Sequence, residues 1–163
     1  MDRGKRGSGS TVVWKYIFAG CIIIYTALVF VYMSGSNRPF KEVKQAVGRK
    51  IDTERMKDVS SQGLKRYYGL NGADYDGVMM YVSTSSMSAE EVLVVKAKNT
   101  EQARELENAI EKRIEERKNV FDGYAPEQVK MLKEAQKSVR GTYVFLAISP
   151  DSNRYREAFT KAL

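Results

Sequence analysis

The sequence predicts an α+β protein: an N-terminal single transmembrane helix followed by a small antiparallel or mixed sheet of about three strands packed with helices. Three observations carry this expectation. Residues 16–33 form a run of 18 residues without a charged side chain. Three short segments, VMMYVS (78–83), EVLVVK (91–96) and TYVFLAI (142–148), have the β-branched and apolar content of strands. Around them, apolar residues recur at spacings of three and four, the period of amphipathic helices.

The apolar run comes first. As a helix it would be about 27 Å long at 1.5 Å per residue, close to the roughly 30 Å hydrocarbon core of a bilayer. Trp14, Tyr16 and Tyr32 stand where interfacial aromatics are expected. The stretch FAGC, ending at the single cysteine Cys21, looks like a lipoprotein cleavage site. Twelve further apolar residues follow it, where a processed lipoprotein would need a polar tether. An uncleaved helix with Cys21 as a buried, unreactive thiol is therefore expected. Gly20, Ala27 and Ser34 recur every seven residues and line up as a possible packing face for another membrane helix.

The expected layout is a cytoplasmic basic tail over 1–15, a membrane helix over 16–33, a linker and juxtamembrane basic helix over 34–57, and an extracytoplasmic α+β domain over 58–163. The net charge of +7 supports this division. From Asp58 to Leu163 sixteen Lys and Arg balance sixteen Asp and Glu, so the whole excess flanks the apolar run. Basic residues there suit anionic membrane lipid, and the remainder has no compositional reason to bind nucleic acid. Lys15 abuts the run, which places the N-terminus in the cytoplasm and the C-terminal domain outside it.

The later elements follow in order. Phe40, Val43, Val47 and Ile51 predict a helix over 40–51, and a short helix over 59–68 ends at Gly69. NGADYDG (71–77) is a turn. Its Asp74, Asp76 and Gly77 do not fit a calcium loop, because Gly72 and Ser83 would stand at the first and twelfth ligand positions. The strands at 78–83 and 91–96 are joined by TSSMSAE, too long for a tight hairpin. Asn99-Thr100 caps a helix to Phe121 that turns Ala103, Leu106, Ile110, Ile114 and Phe121 inward and a charged face outward. Gly123 suits a helix end and Pro126 the first turn of a helix over 126–137. After the strand at 142–148, Asp151 or Ser152 caps a last helix with Tyr155, Ala158, Phe159 and Leu163 inward. VLVV and YVFLAI are apolar at every position, so both sheet faces should be covered, by helices or by a partner.

The chemistry available is narrow. The chain has no histidine and one cysteine, which excludes histidine-based triads, a general-base histidine, an internal disulfide and a thiolate metal cluster. No cofactor and no metal are expected. The serines of 84–88 have no S-x-x-K lysine, and Glu91 and Lys96, an odd number of residues apart on one strand, point to opposite faces.

LKRYYGL (64–70), MSAEEVLVVKAKN (87–99), FDGYAPEQ (121–128) and GTYVFLAIS (141–149), in this order, resemble a family of bacterial domains of unknown function numbered 4358. Tyr68, Glu91, Lys96, Gly123, Tyr124, Pro126, Gly141 and Tyr143 stand at its characteristic positions. The resemblance implies an exported domain held at the outer membrane face in Gram-positive Clostridia and relatives, encoded near membrane-bound O-acyltransferases of the envelope. It implies no catalytic residues. The function expected is a non-enzymatic, membrane-anchored binding or accessory module of the cell envelope, assisting proteins that modify wall polymers. The alternatives are a carboxylate enzyme acting on envelope glycans through Glu90, Glu91, Asp74 or Asp76, and a small-molecule sensor domain.

Overall fold

The computed structural model describes residues 9–33 and 38–163, with side chains for 13–28 and for 38–163 apart from position 61. The chain divides into two compact units, Met1–Ser34 and Gly35–Leu163.

In the first unit the described residues form one helix, α1 (Gly9–Met33). The transmembrane expectation is corrected here: among the described residues no helix is long and apolar enough to cross a membrane. Cys21 is exposed on α1 rather than buried. Gly20 and Ala27 share a face by their spacing, whereas Ser34 and residues 1–8 of the basic tail lie outside the described residues.

The second unit contains α2 (Phe40–Gly48), β1 (Met56–Asp58), α3 (Ser60–Tyr68), a 3-10 turn over Gly72–Asp74, β2 (Gly77–Ser83), β3 (Glu91–Lys96), α4 (Thr100–Phe121), α5 (Pro126–Lys133), β4 (Gln136–Arg140), β5 (Tyr143–Ile148) and α6 (Ser152–Ala162). The sheet has five strands in the order β1-β2-β3-β5-β4, every neighbouring pair antiparallel. The fold is α+β as expected, but the estimate of about three strands is corrected to five. The two additional strands are the edges. β1 is three residues long, and β4 reads Gln-Lys-Ser-Val-Arg, without the apolar alternation that marks a strand.

The turn makes β4 a strand. Arg140 pairs with Tyr143, leaving a two-residue loop of Gly141 and Thr142. Gly141 has φ +60° and Thr142 does not have a positive φ, as in a type II′ hairpin turn with glycine at its first central position. The chain therefore leaves α5 at Lys133 and folds back on β5, instead of continuing as helix to 137.

The pleat sorts the core into two layers. Leu93, Val95, Val144, Leu146 and Ile148 face α3, α4 and α5, and pack with Leu64, Leu106, Ile110, Ile114 and Phe121. Val92, Val94, Tyr143, Phe145 and Ala147 face the other way and pack with Val43 and Val47 of α2 and Tyr155 and Phe159 of α6. Helices thus cover both faces of the central strands, which explains why β3 and β5 are apolar along their length. At full burial each such side chain contributes about 1.5–3 kcal/mol. Gly77 opens β2 where the Phe40 ring lies so close that a Cβ would overlap it.

Candidate functional site

Glu91 begins β3 on the α3–α4 face, opposite Val82 of β2 and Ile148 of β5. Its side chain is 3 % exposed. A carboxylate so far from water requires partners, and three donors provide them. Arg113 of α4 places Nε 3.0 Å from Oε1 and 2.9 Å from Oε2, and Nη2 2.5 Å from Oε2. The Tyr68 hydroxyl of α3 donates to Oε1. Arg113 also lies 4.6 Å from the centroid of the Tyr67 ring and 5.3 Å from that of Tyr68, so aromatic faces cover the cation.

Electrostatics follow the geometry. Burial, and then the Glu91 charge, push the Tyr68 phenol well above its ordinary value, while Arg113 offsets part of this. Burial opposes the Arg113 charge, but the hydrogen bonds and charge of Glu91 outweigh it and raise its pKa. Arg117, one turn along α4, shows the opposite result. Burial and then the Arg113 charge lower its pKa, with Glu91 offsetting part. Its Nη2 donates to the Ser88 carbonyl at 2.8 Å, and its guanidinium lies 4.8 Å from the Phe121 ring centroid.

Tyr67, Glu91, Arg113 and Arg117 edge a recess of about 230 Å³, whose other walls include Lys57 of β1, Arg66 of α3 and the Ser83–Ser88 segment. Glu90 also lines it, but its Oε1 accepts from Arg55 Nη2 at 2.5 Å and from Ser149 Oγ at 3.3 Å. Both carboxylates of the recess are therefore engaged by guanidinium groups, Glu90 by Arg55 and Glu91 by Arg113. Asp74 and Asp76 do not line it. Among the described residues no group of three or more His, Cys, Asp or Glu could hold a metal ion.

The other residues singled out in the sequence fall elsewhere. Lys96 and Tyr143 pair across β3 and β5 on the opposite sheet face, with Lys96 Nζ 5.5 Å from the Tyr143 ring centroid. Both donate to the Arg38 carbonyl, Lys96 at 3.3 Å and Tyr143 at 2.8 Å, and so hold the chain where it enters α2. Gly123 and Gly141 have φ of +82° and +60° and make turns. Pro126 starts α5, and Tyr124 is exposed beside Phe121. The structure thus joins Tyr68 to Glu91 and Lys96 to Tyr143, in two separate places.

Arg113 and Arg117 are the residues that the sequence reading passed over, because they belong to a helix face taken as solvated. A signal for them exists. Between Ile110, Ile114 and Phe121 the inward stripe of α4 requires side chains at 113 and 117, and both positions hold arginine.

The model of a family described as "Domain of unknown function (DUF4358)" matches residues 49–149, which include every residue of the recess. No curated protein and no solved structure matches the chain.

Proposed function

The chain belongs to the DUF4358 family, and we propose on that premise that it is a non-catalytic binding or accessory module of the bacterial cell envelope. It works outside the cytoplasm, beside proteins that build or modify wall polymers, and the recess between α3, α4 and the Ser83–Ser88 segment is its binding surface. One observation carries the preference for binding over catalysis. Both acids that could do general acid–base work in the recess are already paired with an arginine. A paired-carboxylate mechanism instead needs one acid free to hold a proton and the other free to meet water or substrate.

The test is in-cell photocrosslinking from Ser86, exposed at the recess, with Arg154 on α6 as the control position. The expected result is a set of envelope partners trapped from Ser86 and not from Arg154. Equal trapping from both positions, or wall-glycan turnover by the purified chain that Glu90→Gln abolishes, would reject the reading.

A further inference from the structure

We infer that the recess binds a phosphoryl group, gripped by Arg117, Arg66 and Lys57 and by hydroxyls of the Ser83–Ser88 segment. This inference rests on the binding-module reading and adds the chemical class of the ligand.

The first argument is a charge inventory. Four cations (Lys57, Arg66, Arg113 and Arg117) and two carboxylates (Glu90 and Glu91) line the recess. Glu91 is committed to Arg113, and Glu90 to Arg55, which is not a lining residue. Among the described residues, Lys57, Arg66 and Arg117 have no carboxylate partner. Arg117 is the costly one. It is partly withdrawn from water, and it stands one helical turn from Arg113, a like-charge spacing that destabilises a helix. A cation in that position gains most from an anion brought in from outside.

The hydroxyl inventory points the same way. Ser83 Oγ accepts from the Ser85 N–H and Ser85 Oγ from the Met87 N–H, both at 3.2 Å. Neither hydroxyl proton is spent on a partner among the described residues, and the Ser86 hydroxyl has no protein partner there. The recess therefore presents donors, while both of its carboxylates are already paired with arginine. Guanidinium and hydroxyl donors around an unfilled space suit an oxyanion.

The directions of the donors choose between oxyanions. A planar carboxylate is satisfied by one guanidinium in a side-by-side pair, as Glu91 is by Arg113. Here the remaining cations come from three elements, Lys57 from β1, Arg66 from α3 and Arg117 from α4, with the serine segment as a fourth wall. Donors converging from several sides match the tetrahedral oxygens of a phosphoryl group. That group could belong to a small phosphate ester or to the phosphodiester backbone of a larger envelope polymer.

The experiment titrates the full-length chain calorimetrically at low salt with inorganic phosphate, glycerol 3-phosphate, poly(glycerol phosphate) and acetate. The expected result is saturable binding of at least one phosphate species, tighter than acetate and weakened by added salt. Arg117→Gln should weaken it at least tenfold, and Ser86→Asp, on an exposed segment, should abolish it without a change in unfolding midpoint. Arg104→Gln, exposed on α4, should leave it unchanged. Tighter glycerol 3-phosphate would assign the group to a small ester, and tighter polymer to a phosphodiester. No saturable phosphate binding, acetate binding as tight as phosphate, or equal losses in Arg104→Gln and Arg117→Gln would overturn the inference. Recess-specific crosslinks from Ser86 without phosphate binding reject the ligand class alone, whereas loss of both rejects the binding reading as well.

Discussion

Consider Glu91→Gln. The Glu91 and Arg113 side chains are 3 % and 12 % exposed, so the pair is almost wholly out of water. Taking the charge from Glu91 leaves the Arg113 guanidinium with tyrosine faces, one long hydrogen bond to the Tyr67 carbonyl at 3.5 Å, and a like charge, Arg117, nearby. Breaking one side of a buried ion pair costs about 3–5 kcal/mol. Glutamine keeps one acceptor oxygen, which puts the expected loss near the lower figure, about 3 kcal/mol. For a domain of this size that lowers the melting temperature by about 10 °C. Arg113→Met should cost a similar amount, because it leaves a buried carboxylate with a single tyrosine donor. The double variant Glu91→Leu/Arg113→Met removes both charges and should fall within about 2 kcal/mol of the native chain, the remainder reflecting the Tyr68 hydroxyl left without an acceptor. Urea unfolding followed by far-ultraviolet circular dichroism, with equal slopes across the set, measures all three. A loss below about 1 kcal/mol for Glu91→Gln, or strictly additive single variants, would mean that the pair is solvated and that the recess floor is open to water.

Three further outcomes are expected. Gly77→Ala forces the Phe40 ring from its place and should cost about 1–3 kcal/mol; Phe40→Leu in the same chain should recover part of it, and independent losses would refute the contact. Gly141→Ala puts a side chain at φ +60° and should cost about 1–2 kcal/mol, read as faster amide exchange along β4; unchanged exchange would refute the turn assignment. Burial, then the charges of Glu105 and Asp74, push Tyr75 up to about 12, and burial, then Glu42 and Asp76, push Tyr143 up to about 12. The unfolded chain ionises its tyrosines near 10 and the fold holds these two neutral, so stability is intact below about pH 10 and declines toward pH 12. Urea midpoints across that range should fall more steeply in the native chain than in Tyr75→Phe/Tyr143→Phe, and identical slopes would count against both shifts.

Legibility in the sequence followed burial. β3 and β5 are buried along their length, and their apolar runs marked them without ambiguity. The α4 stripe was legible for the same reason: Ala103, Leu106, Ile110, Ile114 and Phe121 are all buried. Edge strands carry no such mark. Gln136, Ser138 and Arg140 of β4 are only half-buried, so no two-residue period stands out, and the helix pattern of α5 continues into its first two residues, Gln136 and Lys137. The Gly141-Thr142 turn was the local clue, since a two-residue glycine loop requires a strand on each side. At the site, Tyr68 and Glu91 were named from a family pattern, but nothing local joins residues 23 apart. What joins them is Arg113, and a lone arginine on a charged helix is indistinguishable from its neighbours until the inward stripe is counted through it.

The double grip on the Arg38 carbonyl has a mechanical consequence. Lys96 and Tyr143 belong to β3 and β5, two of the three inner strands, which pair with each other. A force applied to the chain before residue 38 is therefore delivered to the middle of the sheet, with little slack. In a single-molecule pulling experiment the native chain should yield in one step. Replacing both donors, as Lys96→Met/Tyr143→Phe, should add an earlier and softer extension as α2 peels away; identical force traces would show that the load travels by another route. With the grip in place, whatever lies before residue 38 pulls on the sheet itself, not on a loose leader.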